Sequence, residues 1–204
     1  MSGSADAPAY LEVGLGSFLE LVSAAEPAPG GGSAAAVAVG LAAGLCVMAA
    51  RLSTRQLPDA PDLALAAARL RDRAAALCQA DAEAYGLVVS ASHEPCGPDP
   101  EGRRRRIAAA LLVATDVPLQ VVETGAGVAG LAARIAEYGN PNLLGDAVTA
   151  ALLAESGARA AAALALINLK GLQDDDRRNR IAKLIEEAAD SASIARRLSD
   201  QLSS

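Results

Sequence analysis

Between Ala34 and Ala50 the chain reads AAAVAVGLAAGLCVMAA, a run without a single charge, and no other stretch constrains the fold as strongly. Alanine is the best helix former and is depleted in strands, so the run predicts a helix. A membrane span needs about 20 predominantly apolar residues. This run stops at Arg51 and is mostly alanine, which is far less lipophilic than leucine. The apolar stretch from Ala147 to Leu169 is interrupted by Glu155 and Arg159, so it is not a second comparable candidate. The reading that follows is a buried central helix. Ala36, Gly40 and Gly44 then mark a flat face on which another helix backbone can lie close.

The same demand for small side chains runs through the whole chain. About a quarter of the residues are alanine, with one Phe, three Tyr and no Trp, so a core of large rings is excluded. Half of the chain is apolar and a fifth charged, which excludes a wholly disordered chain. Period-2 alternation of β-branched residues is almost absent, and glycine and proline divide the sequence into helical blocks.

A first amphipathic helix fits Ala7 to Ala24. After the Pro27 to Gly32 loop, Ser33 is the expected N-cap of the second, which runs to about Leu52. A long third helix begins near Pro61 and carries Leu63, Leu70, Leu77 and Tyr85 toward His93, where Pro95, Gly97, Pro98 and Pro100 end it. A fourth block starts after Gly102 and reaches Ala114. Asp116 and Pro118 predict a kink or a fresh start before it continues to Tyr138. Gly139 then reads as a helix stop, Asn140 as the next N-cap and Pro141 as the next first position. The fifth helix extends to about Leu172 and the last from Asp174 to Leu202. No linker, composition shift or repeat appears, so the expectation is one domain over residues 1–204. It is all-α: an antiparallel bundle of about six helices, two of them long.

A net charge of −6, from 18 basic and 24 acidic residues, argues against a nucleic-acid or anionic-membrane partner. Cys46, Cys78 and Cys96 are too far apart for a CxxC metal site and odd in number for a disulfide framework. Met1 to Tyr10 lacks a basic stretch before an apolar run, so no signal peptide is read and a cytoplasmic location is expected.

The most informative local feature is Pro27-Ala28-Pro29-Gly30-Gly31-Gly32-Ser33, directly before the uncharged helix. Free N–H groups and a positive dipole end at that helix start can hold an anion or a carbonyl oxygen. No lysine follows, and the GxGxxG spacing is missing, so it is not a Walker or dinucleotide loop. By pattern alone, a flexible connector competes with a binding loop.

PAPGGGSAAA, MAARLS, DAEAY, ATDVPL, GNPNLLGDA and INLKGLQD occur in this order from about Leu11 to Arg180. With these motifs the chain resembles the cyclodeaminase/cyclohydrolase family, whose members are the cyclodeaminase half of formiminotransferase-cyclodeaminase and stand-alone methenyltetrahydrofolate cyclohydrolases. The resemblance implies all-helical homodimers, or assemblies of dimers, that act on tetrahydrofolate derivatives without a metal or further cofactor. It associates the glycine loop with the folate site, and carries over Pro29, Gly30, Gly31, Gly32 and Ser33, with Asn140, Asn142 and Asn168, as substrate-binding candidates. Asp81, Asp146 and Lys170 are the catalytic candidates: a carboxylate to move protons, and a lysine to orient a substrate carbonyl or carboxylate. The chain departs from the pattern at Leu164 and Leu166, where relatives often carry polar residues, and at Arg51, where asparagine is usual.

Spacing adds a constraint of its own. Asp146 and Asn168 are 22 residues apart on one predicted helix, about 6.1 turns and roughly 33 Å. One site in one subunit holds both only if the helix breaks; otherwise a two-fold partner running antiparallel would bring the far end alongside. Structural roles stand beside the catalytic ones. Asp146 is early in its helix and Lys170 near a helix end, where each charge suits the dipole. Asp81 lies on a largely polar stretch, Asn140 is a cap in any case, and Asn168 sits among apolar neighbours where its amide needs partners. His93, the only histidine, reads as a surface residue, and Arg103 to Arg106 as a solvated face that offers one or two cations to an anionic substrate tail.

The expected activity is hydrolysis of 5,10-methenyltetrahydrofolate to 10-formyltetrahydrofolate by carboxylate-assisted water attack. It is placed ahead of formiminotetrahydrofolate cyclodeaminase because no formiminotransferase domain is seen in this chain. A non-catalytic folate-binding helical dimer is the alternative from another class, favoured by Leu164 and Leu166.

Overall fold

The computed structural model describes residues 9–93 and 99–201. Cys96 and the stop at Pro95, Gly97 and Pro98 lie outside the described residues, as do Ala7 and Leu202. Among the described residues six α-helices follow one another: α1 (Leu15–Ser23), α2 (Gly31–Arg51), α3 (Ala60–His93), α4 (Pro100–Tyr138), α5 (Leu144–Asn168) and α6 (Asp175–Asp200). A 3₁₀ turn, Pro141–Leu143, leads into α5, and no strand occurs among the described residues. The fold is all-α, as expected, and α3 and α4 are its two long helices, with 34 and 39 residues.

Helix α2 packs on α3, α5 and α4. Ser33 at its start meets Asp81 of α3, and Leu52 after its end meets Asn140 ahead of α5, so α2 runs antiparallel to both α3 and α5. Helix α4 runs antiparallel to α3 and α5, and α6 closes the bundle against α4 and α5. Beyond the start of α2, the last turns of α3 and the first turns of α4 continue side by side, held where Arg103 donates to the Ser92 carbonyl.

The core is built from alanine. Ala36, Ala42, Ala43, Ala129, Ala150, Ala154 and Ala161 are completely buried, and Leu169 is the one leucine among the fully buried side chains. Small side chains bring backbones together, and dense packing then leaves no room for more. A Cβ on Gly157 would lie 2.7 Å from Val39 Cγ2 and 3.0 Å from the Ala35 carbonyl oxygen, so α5 crosses α2 at that glycine. Gly125 plays the same part between α4 and α5, where a Cβ would stand 2.9 Å from Ala158 Cβ. The flat face expected at Ala36, Gly40 and Gly44 is not where helices press closest. Gly40 meets Ala74 at ordinary contact distance and Gly44 has nothing within 4 Å, because it borders an open apolar groove beside Leu41 and Leu45.

Five boundaries move. Helix α4 begins at Pro100, not after Gly102, because Asp99 caps it by accepting from the Gly102 N–H. Helix α1 starts at Leu15, because Tyr10 to Glu12 form a turn; Tyr10 is buried there, its N–H donating to Gln79 and its ring edge-on to Phe18. Gly30, not Ser33, is the N-cap of α2. Helix α4 passes through Pro118 without ending. Helix α5 stops at Asn168, and Gly171, at φ 84°, turns the chain toward α6, whose cap Asp174 accepts from the Arg177 N–H. The GNP punctuation is as expected: Gly139 follows α4, and the Asn140 side chain accepts from the Asn142 N–H.

Length and hydropathy would allow three helical segments to cross a membrane: Gly31–Arg51, Pro100–Tyr138 and Pro141–Asn168. This corrects the view that the uncharged run has no counterpart, since the two later segments keep a high mean hydropathy despite their charges. In the bundle, the charge that interrupts α5 is engaged: Glu155 is buried, paired with Arg159 on its own helix and with Arg196 of α6.

Candidate functional site

The first residues of α2 form one wall of a cavity of about 300 Å³, and Asp81, Tyr85, Pro118, Leu164 and Asn168 contribute the others. The wall begins with the glycine loop. Gly31 and Gly32 are the first two helical residues, and their N–H groups have no acceptor among the described residues, as the geometry of a helix start dictates. The third N–H, that of Ser33, donates to Asp81 Oδ2 at 2.9 Å. A carboxylate from α3 thus does what an N-cap side chain would do from within the chain. The Ser33 side chain is fully buried; its Oγ donates to the Cys78 carbonyl at 2.8 Å and also approaches Asp81 Oδ2 at 3.4 Å.

Gly32 is required by this contact. A Cβ there would stand 1.9 Å from Asp81 Oδ1, so the carboxyl rests directly on the glycine Cα. Burial pushes the Asp81 carboxyl above the usual carboxylate range, while the two hydrogen bonds from Ser33 pull it back. A carboxyl of raised pKa, at the wall of a cavity and beside unpaired N–H donors, is placed to exchange a proton with a bound molecule.

The opposite wall comes from α4 and α5. Pro118 has no N–H, which leaves the Ala114 carbonyl without its helical partner. Nδ2 of Asn168 donates to that carbonyl at 2.9 Å. Helix α4 continues through a proline because a side chain from α5 supplies the missing donor. Leu164 faces Gly31, where a Cβ would lie 3.6 Å from Leu164 Cδ1, and Tyr85 stands half exposed at the mouth.

Among the candidates read from the sequence, Gly30, Gly31, Gly32, Asp81 and Asn168 line this cavity, with Ser33 directly behind it. Pro29 is buried under the loop, and Pro27 and Ala28 line the cavity in its place. Asn140, Asn142 and Asp146 lie at the other end of the bundle. There the Asn140 side chain accepts from the Asn142 N–H and donates to the Leu52 carbonyl, and its backbone N–H donates to Ser53 Oγ. Helix α5 is unbroken between Asp146 and Asn168, so one chain does not bring both ends into one site. Lys170 is exposed in the turn after α5 and does not line the cavity. Leu166 belongs to a separate groove between α5 and α6, whereas Leu164 is part of the cavity wall. Pro118 and Ala114 were not singled out as site residues, although a proline four residues after a carbonyl is a signal that the sequence displays. The buried Cys46 thiol, pushed up to about 12 by desolvation, is no nucleophile. Among the described residues no group of three His, Cys, Asp or Glu side chains could hold a metal ion.

A family model described as formiminotransferase-cyclodeaminase matches residues 14–187. A methenyltetrahydrofolate cyclohydrolase from Methylorubrum extorquens is 33% identical over 84% of this chain and 88% of its own length. A formimidoyltransferase-cyclodeaminase from Rattus norvegicus is 33% identical over 90% of this chain, which spans only 36% of that relative. The crystal structure of a formiminotetrahydrofolate cyclodeaminase from Thermotoga maritima superposes with a TM-score of 0.79 at 26% identity, covering 95% of this chain and 97% of that one.

Proposed function

The chain belongs to the formiminotransferase-cyclodeaminase family, and from that premise we propose that the cavity at the start of α2 hydrolyses 5,10-methenyltetrahydrofolate to 10-formyltetrahydrofolate. The observation that carries this reading is Asp81, a carboxyl of raised pKa held at the cavity wall by the Ser33 N–H.

The substrate's bridging carbon is an amidinium carbon bonded to N5 and N10 and already bears positive charge, so it needs an activated water rather than a Lewis acid. Ionised Asp81 takes a proton from water as the oxygen bonds to that carbon. The tetrahedral adduct then collapses: the carbon–N5 bond breaks, N5 takes the proton back from Asp81, and the hydroxyl proton leaves to solvent as the N10 formyl group forms. The unpaired N–H groups of Gly31 and Gly32 offer donors to a ligand oxygen, and Asn168 and Tyr85 border the bound ring. Two-fold pairing of chains would bring the Asp146 end of a partner helix toward a cavity it cannot reach in its own chain. We accordingly take the working unit to be a cytoplasmic homodimer, without a nucleic-acid or membrane partner and with no cofactor beyond the folate substrate itself.

Formiminotetrahydrofolate deamination is the second reading, favoured by the likeness to the cyclodeaminase structure over nearly the full length of both chains. It uses the same carboxylate: N10 attacks the protonated formimino carbon on N5, Asp81 takes the N10 proton and passes it to the departing nitrogen, and the carbon–nitrogen bond breaks to release ammonia and leave the methenyl cation. Incubating the purified protein separately with each substrate, following absorbance and ammonia, decides between them. Hydrolysis of the methenyl compound without ammonia from the formimino compound is expected. Ammonia release would move the assignment to the second reading, and neither reaction would leave a non-catalytic folate binder.

A further inference from the structure

In an α-helix the carbonyl of Ala114 would accept from the N–H of residue 118, and at Pro118 that N–H does not exist. Nδ2 of Asn168 accordingly takes the carbonyl at 2.9 Å, across from the last residue of α5. A carbonyl can only accept, so the nitrogen must be the end of the amide that faces α4. Oδ1 is left as the other end, and no described residue donates to it. Thr115 Oγ1, on the residue after Ala114, is committed to the Leu111 carbonyl at 2.7 Å. Ala114, Pro118 and Asn168 all line the cavity.

We propose that Pro118 is a positioning residue of the pocket: by withholding a backbone N–H it ties the Asn168 amide nitrogen to α4 and presents Oδ1 to the bound molecule, so that this wall selects ligands offering an N–H donor. The ligand half of the statement rests on the folate reading, since the pyrimidine edge of a pterin carries such donors. The orientation half rests on geometry alone. A proline retained only for packing would predict something different, because alanine is the better residue inside a helix.

Pro118→Ala restores the missing N–H and lets it compete with Asn168 for the Ala114 carbonyl. In nitrogen-15-labelled protein, the Asn168 side-chain protons should lose their hydrogen-bonded shift and their protection from exchange. The melting temperature should be unchanged or higher. KM for 5,10-methenyltetrahydrofolate should rise about fivefold to tenfold, as expected for one neutral hydrogen bond, with kcat changed less than about twofold. In an Asn168→Ala background the same substitution should leave KM where Asn168→Ala alone put it. Unaltered Asn168 side-chain signals in Pro118→Ala would overturn the positioning. An unchanged KM, or an equal rise in both backgrounds, would overturn the ligand half. If the wild-type protein turns over neither folate substrate, the folate reading falls, while the spectroscopic comparison still decides the positioning by itself.

Discussion

Gly32 and Asp81 are 49 positions apart and define each other. Asp81 reaches the third N–H of α2 only because the second helical residue has no side chain, and the carboxyl oxygen sits where a Cβ would be. Gly32→Ala should therefore push Asp81 off Ser33, costing about 1–2 kcal/mol of stability for the lost charge-assisted bond and lowering kcat/KM by at least about tenfold. Thermal melting and steady-state kinetics on the same preparation check both. Burial raises the folded-state pKa of Asp81 above its unfolded value, 3.8. The folded protein thus holds that proton more tightly than the unfolded chain, and the associated stability is full below the unfolded pKa and lost as pH rises through the folded one. Asp81→Asn keeps an acceptor for Ser33 and cannot ionise. Its melting temperature relative to the wild type should rise as pH is raised from strongly acidic to neutral; a difference that stays flat with pH would contradict a raised Asp81.

Among the elements, α2 and α5 show how much an alanine-rich sequence declares about itself. That these segments are helices with small faces is written in their composition, and the GNP stop is legible because caps are local. Which small residue receives a neighbour is not local. Gly40 and Gly44 carry the obvious four-residue spacing, yet the tight crossing is at Gly157, set by where α5 lies across Ala35 and Val39. Gly157→Ala should cost about 1–3 kcal/mol, since the Ala35 carbonyl belongs to a helix backbone and cannot step aside, whereas Gly44→Ala should be neutral or stabilising. Denaturant melts of the two variants compare them directly. Pro118 makes the same distinction: the missing donor can be read from the sequence, but its replacement, Asn168, lies 54 residues beyond the Ala114 carbonyl it serves and needs the fold. Glu155 looked like an interruption of an apolar run and is the buried carboxylate that pairs α5 with α6 through Arg196.

Across the whole molecule, the site candidates divide between the two ends of one bundle. The glycine loop, Asp81 and Asn168 meet at one end, and Asn140, Asn142 and Asp146 lie at the other, bridged by the unbroken length of α5. Their order along the chain carried the family resemblance, and helix spacing already set Asp146 apart from Asn168, but which of the others share a wall needs the fold. Scarcity of rings has its consequence here too: among the described residues Tyr85 is the one aromatic side chain lining the cavity, so on the proposed function recognition would fall to backbone N–H groups, one amide and one carboxylate. Folate chemistry through Asp81, as proposed, makes kcat/KM for 5,10-methenyltetrahydrofolate across pH the decisive measurement, on the wild type and on Asp81→Asn shown by melting to be folded. A loss of about 100-fold or more is expected in the variant, together with the disappearance of the acid limb that a raised Asp81 gives the wild type. A folded Asp81→Asn protein that keeps wild-type turnover and the same pH profile would contradict it.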